Sequence, residues 1–183
     1  QAAADRAVDF HNGVFFGPVF RGEYPGSFMS ALGHRMPEIE PGDMETISQP
    51  LDWWGLNYYT PMRVSHDPAE GAEYPATVPA PPVVDIETDI GWEVHAPALG
   101  DLVRKLNADY ALPPCYITEN GACYNMGVEN GVVDDQSRLD YIADHLGVTA
   151  DLISEGYAMR GYFAWSLMDN FEWAEGYRMR FGL

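Results

Sequence analysis

The chain has 183 residues, with 28 Asp or Glu against 10 Lys or Arg, a formal charge of −18 and 46% hydrophobic residues. That apolar content is enough to bury a core. With Lys105 the one lysine and no basic run anywhere, the chain lacks the phosphate-binding surface that nucleic-acid recognition needs, and the acidity itself indicates a soluble, self-repelling surface without identifying a substrate.

Ala4, Ala7, Val8, His11 and Phe15 recur at helical spacing and predict a helix from about residue 2 to residue 16, with His11 a packing residue on its apolar face. Pro18 and Gly22 are expected to break it, and Arg21-Gly22-Glu23-Tyr24-Pro25 reads as a loop. A short helical turn is predicted around Gly42 to Ile47. The run from Leu51 to Tyr59 has the aromatic and apolar content of a buried strand. Residues 60 to 96 are irregular and rich in Pro, Gly and Glu. They read either as a linker between domains or as a long surface loop over a functional face.

Leu99, Leu102, Val103, Leu106 and Tyr110 follow the i, i+3, i+4, i+7 pattern, with Pro97 suited to an early helical position, so a helix ending near Asp109 is predicted. Only residues 111 to 114 separate it from Tyr116-Ile117-Thr118-Glu119-Asn120-Gly121, a short buried strand that delivers one carboxylate to an Asn-Gly turn. A second irregular loop runs from Asn120 to Val133. Asp134 or Asp135 then caps a helix carrying Leu139, Ile142, Leu146 and Ile153, with Gly156 as its stop. Gly161 to Ser166 is the third strand.

Alternation of strand and helix implies parallel pairing. Helix-to-strand connections are short and strand-to-helix connections long. In a β/α barrel the long connections share one face, which holds the active site. The expected fold class is therefore α/β, as part of a (β/α)8 TIM barrel, since three strands cannot close a barrel of eight. A doubly wound sheet is the competitor, without a Gly-rich phosphate turn after any strand to support it.

The start at Gln1 and the stop at Leu183, directly after an aromatic-rich run, read as the ends of a partial sequence. Cys115 and Cys123 flank the central motif, and with no secreted framework around them a disulfide is not suggested. The five histidines are scattered, no spacing resembles a metal site, and no cofactor is expected. No membrane-spanning run or signal peptide is visible, a missing start would hide the latter, and a cytoplasmic location is favoured. Oligomeric state is not legible.

Ile117-Thr118-Glu119-Asn120-Gly121 resembles the nucleophile motif of family 1 glycoside hydrolases, the β-glucosidase family. The long run from Gly161-Tyr162-Phe163-Ala164-Trp165-Ser166 through Asp169-Asn170-Phe171-Glu172-Trp173 to Phe181-Gly182-Leu183 is similar to that family's strand-8 signature. Asp52-Trp53-Trp54-Gly55-Leu56-Asn57-Tyr58-Tyr59 resembles its strand-6 segment, and Phe10-His11 through Tyr24-Pro25 the region before it. The resemblance implies that residues 1–183 are part of one catalytic domain, about strands 6 to 8 of the barrel.

It further implies hydrolysis of terminal, unphosphorylated β-D-glucosides or oligosaccharides by a retaining double displacement, with Glu119 as nucleophile. In such enzymes the two carboxyl groups lie roughly 5 Å apart, one ionised and one initially protonated. The family's acid/base Glu belongs to an Asn-Glu-Pro motif, and no Asn-Glu-Pro occurs in this sequence, so this chain by itself is expected to be inactive.

By the same resemblance Tyr59 and Asn57 orient the nucleophile, and Trp165 floors the sugar subsite with an aromatic face. Glu172 and Trp173 grip sugar hydroxyls, and Phe181 lines the pocket or packs in the core. Tyr58, Trp53, Trp54 and Trp92 are expected in core or rim. β-Galactosidase or β-fucosidase specificity, a myrosinase-like relative and a sugar-binding relative without hydrolysis are the alternatives. An independent structural domain is a further one, which the length of the strand-8 match disfavours.

Overall fold

A computed structural model describes residues 2–85 and 87–183. Two compact units emerge, one from residues 1–51 and 62–82, the other from residues 52–61 and 83–183.

The first unit begins with α1 (Ala2–Val8), which passes through a π-helical turn at Asp9–Gly13 into α2 (Val14–Arg21). This corrects the sequence expectation twice. Pro18 lies inside α2 rather than ending it, and the helix runs on to Gly22. The wide turn just upstream offers a physical reason, because a proline cannot complete the usual ladder and helices relieve its clash at such turns. The extra residue also shifts the helical phase. Gly13 and Gly17 are buried, while His11 and Phe15 face solvent. α3 (Gly26–Leu32), which the sequence pattern did not reveal, and the expected short helix, α4 (Asp43–Ile47), follow.

The stretch read as irregular contributes an antiparallel hairpin to this unit, as the second and third strands of the chain. Arg6 of α1 ties the hairpin down, donating to the carbonyl of Pro75 at 2.8 Å and to Nδ1 of His66 at 3.0 Å.

In the second unit β1 (Trp54–Asn57) precedes that hairpin, β2 (Val64–His66) and β3 (Thr77–Pro79), in sequence. Then come α5 (Pro97–Asp109), β4 (Cys115–Asn120), a tight hairpin of β5 (Val128–Glu129) and β6 (Val132–Val133), α6 (Gln136–Ser154) and β7 (Met159–Ala164). The sheet is β1-β4-β7, all parallel. α5 matches its prediction, with Pro97 at its start and Leu99, Val103 and Leu106 fully buried. Cys115 and Ile117 of β4 and Leu152 of α6 are buried with them. The β5–β6 hairpin turns on Asn130-Gly131, both at positive φ (53° and 80°), the signature of a two-residue turn within a stretch expected to be irregular.

α6 corrects the predicted apolar face. Leu139, Leu146 and Ile153 are exposed, and the buried stripe is Arg138, Tyr141, His145, Thr149 and Leu152. The sheet-facing side therefore carries hydrogen-bonding groups, and apolarity alone selected the wrong side. Nor does Asp135 cap the helix through its side chain, because its carboxylate pairs with Arg138. Among the described residues no helix is long and apolar enough to cross a membrane.

Candidate active site

The carboxyl ends of β1, β4 and β7 open into a cleft of ≈ 630 Å³. Asn57, Tyr59, Trp92, Glu119, Trp165, Glu172, Trp173 and Phe181 line it, with Asn170 and Phe171. All seven residues singled out from the sequence therefore meet in one place. Trp92 is an addition, because no strand pattern marked it and its position follows from the loop before α5.

A bulge in β4 aims Glu119 into the cleft. Leu56 faces Ile117 across the β1–β4 ladder while Asn57 faces Glu119, and Ile117 pairs with Tyr162 while Asn120 pairs with Ala164. One extra β4 residue is accommodated against both neighbours. Strict alternation would send Glu119 to the same side as Cys115 and Ile117, under the helices; the bulge reverses it. Asn120 then turns inward and is wholly buried in the strand, rather than forming the turn expected of Asn-Gly.

Tyr59 Oη donates to Glu119 Oε2 at 2.7 Å. Burial, then the hydrogen bond to Glu119 and its charge, push the Tyr59 phenol well above its ordinary value, so it remains a protonated donor. Asn57 is one residue removed from the carboxylate in its bonding, since its Oδ1 accepts from Thr118 Oγ1 at 2.7 Å. It braces the residue before Glu119. Tyr58 is buried and donates to the carbonyl of His95 at 3.0 Å, in keeping with its expected packing role.

Tyr59, Trp92 and Phe181 form a triangle of rings with centroids 5.4 to 6.0 Å apart. Phe181 is almost fully buried, with Cys123 and Met179 in the same cluster, so it lies beneath the cleft wall and belongs to core and pocket at once. Trp54 is buried and Trp53 is exposed, packed edge-on against Tyr116 at 5.5 Å.

Trp165 follows β7, its N–H donating to the carbonyl of Asn120 at 2.8 Å, and a cis peptide joins it to Ser166. Gly121 admits this approach. A Cβ there would sit 1.8 Å from the Trp165 carbonyl oxygen, a backbone clash that no side chain can relieve. Farther along, Asn170 Nδ2 donates to Glu172 Oε2 at 2.8 Å and fixes that carboxylate. Trp173 adopts φ 44°, a left-handed conformation costly for a bulky residue, with its indole 84% exposed. An exposed tryptophan held in strained backbone at a cleft is a mark of function.

The loop after β4 is anchored from below by Arg138. Its guanidinium, only 5% exposed, donates to the carbonyls of Ala122, Tyr124 (2.9 Å) and Arg180 while pairing with Asp135. Burial pushes the Cys115 thiol up to about 12, and both cysteines are free. Among the described residues no group of His, Cys, Asp or Glu is arranged to hold a metal ion.

The sequence model described as glycosyl hydrolase family 1 matches residues 1–183. A β-glucosidase of Agrobacterium sp. is 72% identical over 99% of this chain and 39% of its own length, and β-glucosidase A of Thermotoga maritima is 40% identical over 93% and 37%. Among solved structures, the virulence factor SghA of Agrobacterium tumefaciens, seen in complex with its substrate analogue salicin, superposes with a TM-score of 0.97 at 71% identity over 100% of this chain and 40% of that one. The family 1 β-glucosidase of T. maritima superposes with a TM-score of 0.90 at 37% identity. The chain thus spans about two fifths of the length of the relatives it matches.

Proposed function

The chain belongs to glycosyl hydrolase family 1, and on that premise we propose that it supplies the nucleophile and the sugar-binding groups of a retaining β-glucosidase. Its three parallel strands are the later part of a (β/α)8 barrel, and the acid/base carboxyl comes from outside residues 1–183. The observation that carries this proposal is the Tyr59–Glu119 hydrogen bond inside a cleft walled by Trp165, Glu172 and Trp173.

With Oε2 engaged by Tyr59, Glu119 attacks the anomeric carbon through Oε1. A covalent glycosyl-enzyme forms as the aglycone oxygen leaves with a proton from the second carboxyl. Water, activated by that same group, then breaks the glycosyl–Glu119 bond with net retention. Tyr59, buried and protonated, donates to the resting carboxylate and fixes its direction of attack. Trp165 offers its face to the apolar C–H side of the ring, and Glu172 accepts from neighbouring hydroxyls.

The test is covalent. A 2-deoxy-2-fluoro β-glucoside, turned over by the full-length enzyme that carries this segment, should label one peptide, the one containing Glu119. Label on a peptide without Glu119 overturns the assignment.

Glu172 also predicts which sugars are refused. Two like charges about 4 Å apart at an effective dielectric near 20 repel by about 4 kcal/mol. A 6-phosphoglucoside should therefore be at least about 100-fold poorer in kcat/KM than the plain glucoside. A preference for the phosphorylated sugar contradicts the role given to Glu172.

A further inference from the structure

A buried polar cluster under the cleft has no part in the chemistry above. Asn120, Tyr141 of α6 and Tyr162 of β7 converge there. Asn120 Nδ2 donates to the Tyr58 carbonyl at 2.7 Å and to Tyr141 Oη at 3.1 Å, and its Oδ1 accepts from Tyr162 Oη. Tyr141 Oη in turn donates to the carbonyl of Tyr59 at 2.8 Å. Asn120 and Tyr141 are wholly or almost wholly buried.

Location gives the cluster its meaning. β1 ends at Asn57, so the carbonyls of Tyr58 and Tyr59 lie beyond the regular ladder. Side chains take over from backbone there: one amide and one phenol hold the two carbonyls, and the Tyr58 N–H donates to the Glu119 carbonyl at 2.9 Å. The residue carrying the Tyr59 hydroxyl is thereby fixed against the residue next to Glu119. On the premise that Glu119 is the nucleophile, we propose that Asn120 and Tyr141 are positioning residues that set the distance and direction of the Tyr59–Glu119 hydrogen bond.

The residue types fit that task. The cluster asks one planar group for two donors and one acceptor, which Asn supplies and a carboxylate does not. Burial pushes the Tyr162 phenol up to about 12 and the Tyr141 phenol higher still, so both remain donors throughout the neutral range. A shift of about 1 Å in a reacting group lowers catalysis by about 100-fold, so a loosened brace is expected to act on kcat.

In the full-length enzyme, Tyr141→Phe should lower kcat for an aryl β-glucoside by about tenfold to a hundredfold while KM stays within about threefold. The rate of labelling by a 2-deoxy-2-fluoro glucoside should fall in parallel. Combined with Tyr59→Phe, the loss should be smaller than the product of the two single losses, because both act through one hydrogen bond. Tyr162→Phe should lower kcat in the same direction, which keeps the test open if Tyr141→Phe does not fold. A kcat within twofold of the parent in the variant that folds, or losses that simply multiply with Tyr59→Phe, overturns the proposal. Glu119→Gln separates the two levels. If it retains turnover, the nucleophile premise falls; if it abolishes turnover while the tyrosine variants leave kcat intact, only the positioning role falls.

Discussion

Glu119→Ala in the full-length enzyme is expected to lower kcat for an aryl β-glucoside by on the order of 10⁴-fold or more. The chemistry requires a covalent bond between this carboxylate and the anomeric carbon, and no other cleft group is poised to replace it. Glu172, the other carboxylate lining the cleft, is already tied to Asn170. Removing Glu119 also leaves Tyr59 Oη without its acceptor while the protein backbone around it stays fixed. The vacated volume then admits a small anion. Azide should restore turnover and yield the glucosyl azide of α configuration, since it attacks from the face that Glu119 occupied. A loss of less than tenfold, or a β-configured azide product, places the nucleophile elsewhere.

The chain of residues 1–183 expressed by itself should show no turnover of the same substrate and should fold poorly. Two causes act together. The sheet order β1-β4-β7 leaves β1 and β7 as edges, whereas closure of a barrel removes edges altogether. Leu167, Met168 and Phe171 are also exposed directly after β7. Open edges and apolar surface of this kind promote association. The second cause is chemical, because no Asn-Glu-Pro occurs in the sequence to supply the acid that protonates the leaving oxygen. Size-exclusion chromatography, urea denaturation and an aryl glucoside assay check both. A monomer with one cooperative transition removes the first argument, and measurable hydrolysis removes the second.

Much of the architecture was legible because the signals were local. The α5 stripe and its Pro97, the strand ending in Glu119 and the short turn at Asp43–Ile47 all rest on spacing within one element. Errors arose where a distant partner decides the outcome. The side of α6 that faces the sheet bears Arg138, Tyr141 and His145 because loop carbonyls and Asn120 need donors there, and hydrophobic periodicity is blind to that need. His11 and Phe15 were assigned inward because a π turn, which rephases everything after it, has no spacing signature of its own.

The cleft shows the same division. Glu119, Trp165 and Glu172 stand out through family-like motifs, and the cleft gathers them with Tyr59. The β4 bulge that turns Glu119 around could not be seen, since Tyr116 to Asn120 reads as an unbroken strand. Asn120 was misread for a related reason: Asn before Gly is a turn signal, and only the side chains of Tyr141 and Tyr162 show why a strand holds it.

Arg138 divides the β4–α6 connection into a part that can be redesigned and a part that cannot. Its guanidinium fixes the backbone at Ala122 and Tyr124 and, in the same grip, at Arg180, one residue before the pocket floor at Phe181. Lysine, with a single point charge, has no planar fork to hold three carbonyls at once. Swapping loops to recruit new aglycones therefore has a natural seam: the hairpin around Asn130-Gly131 can be exchanged wholesale, whereas any graft reaching back past Tyr124 would unseat the pocket floor as well.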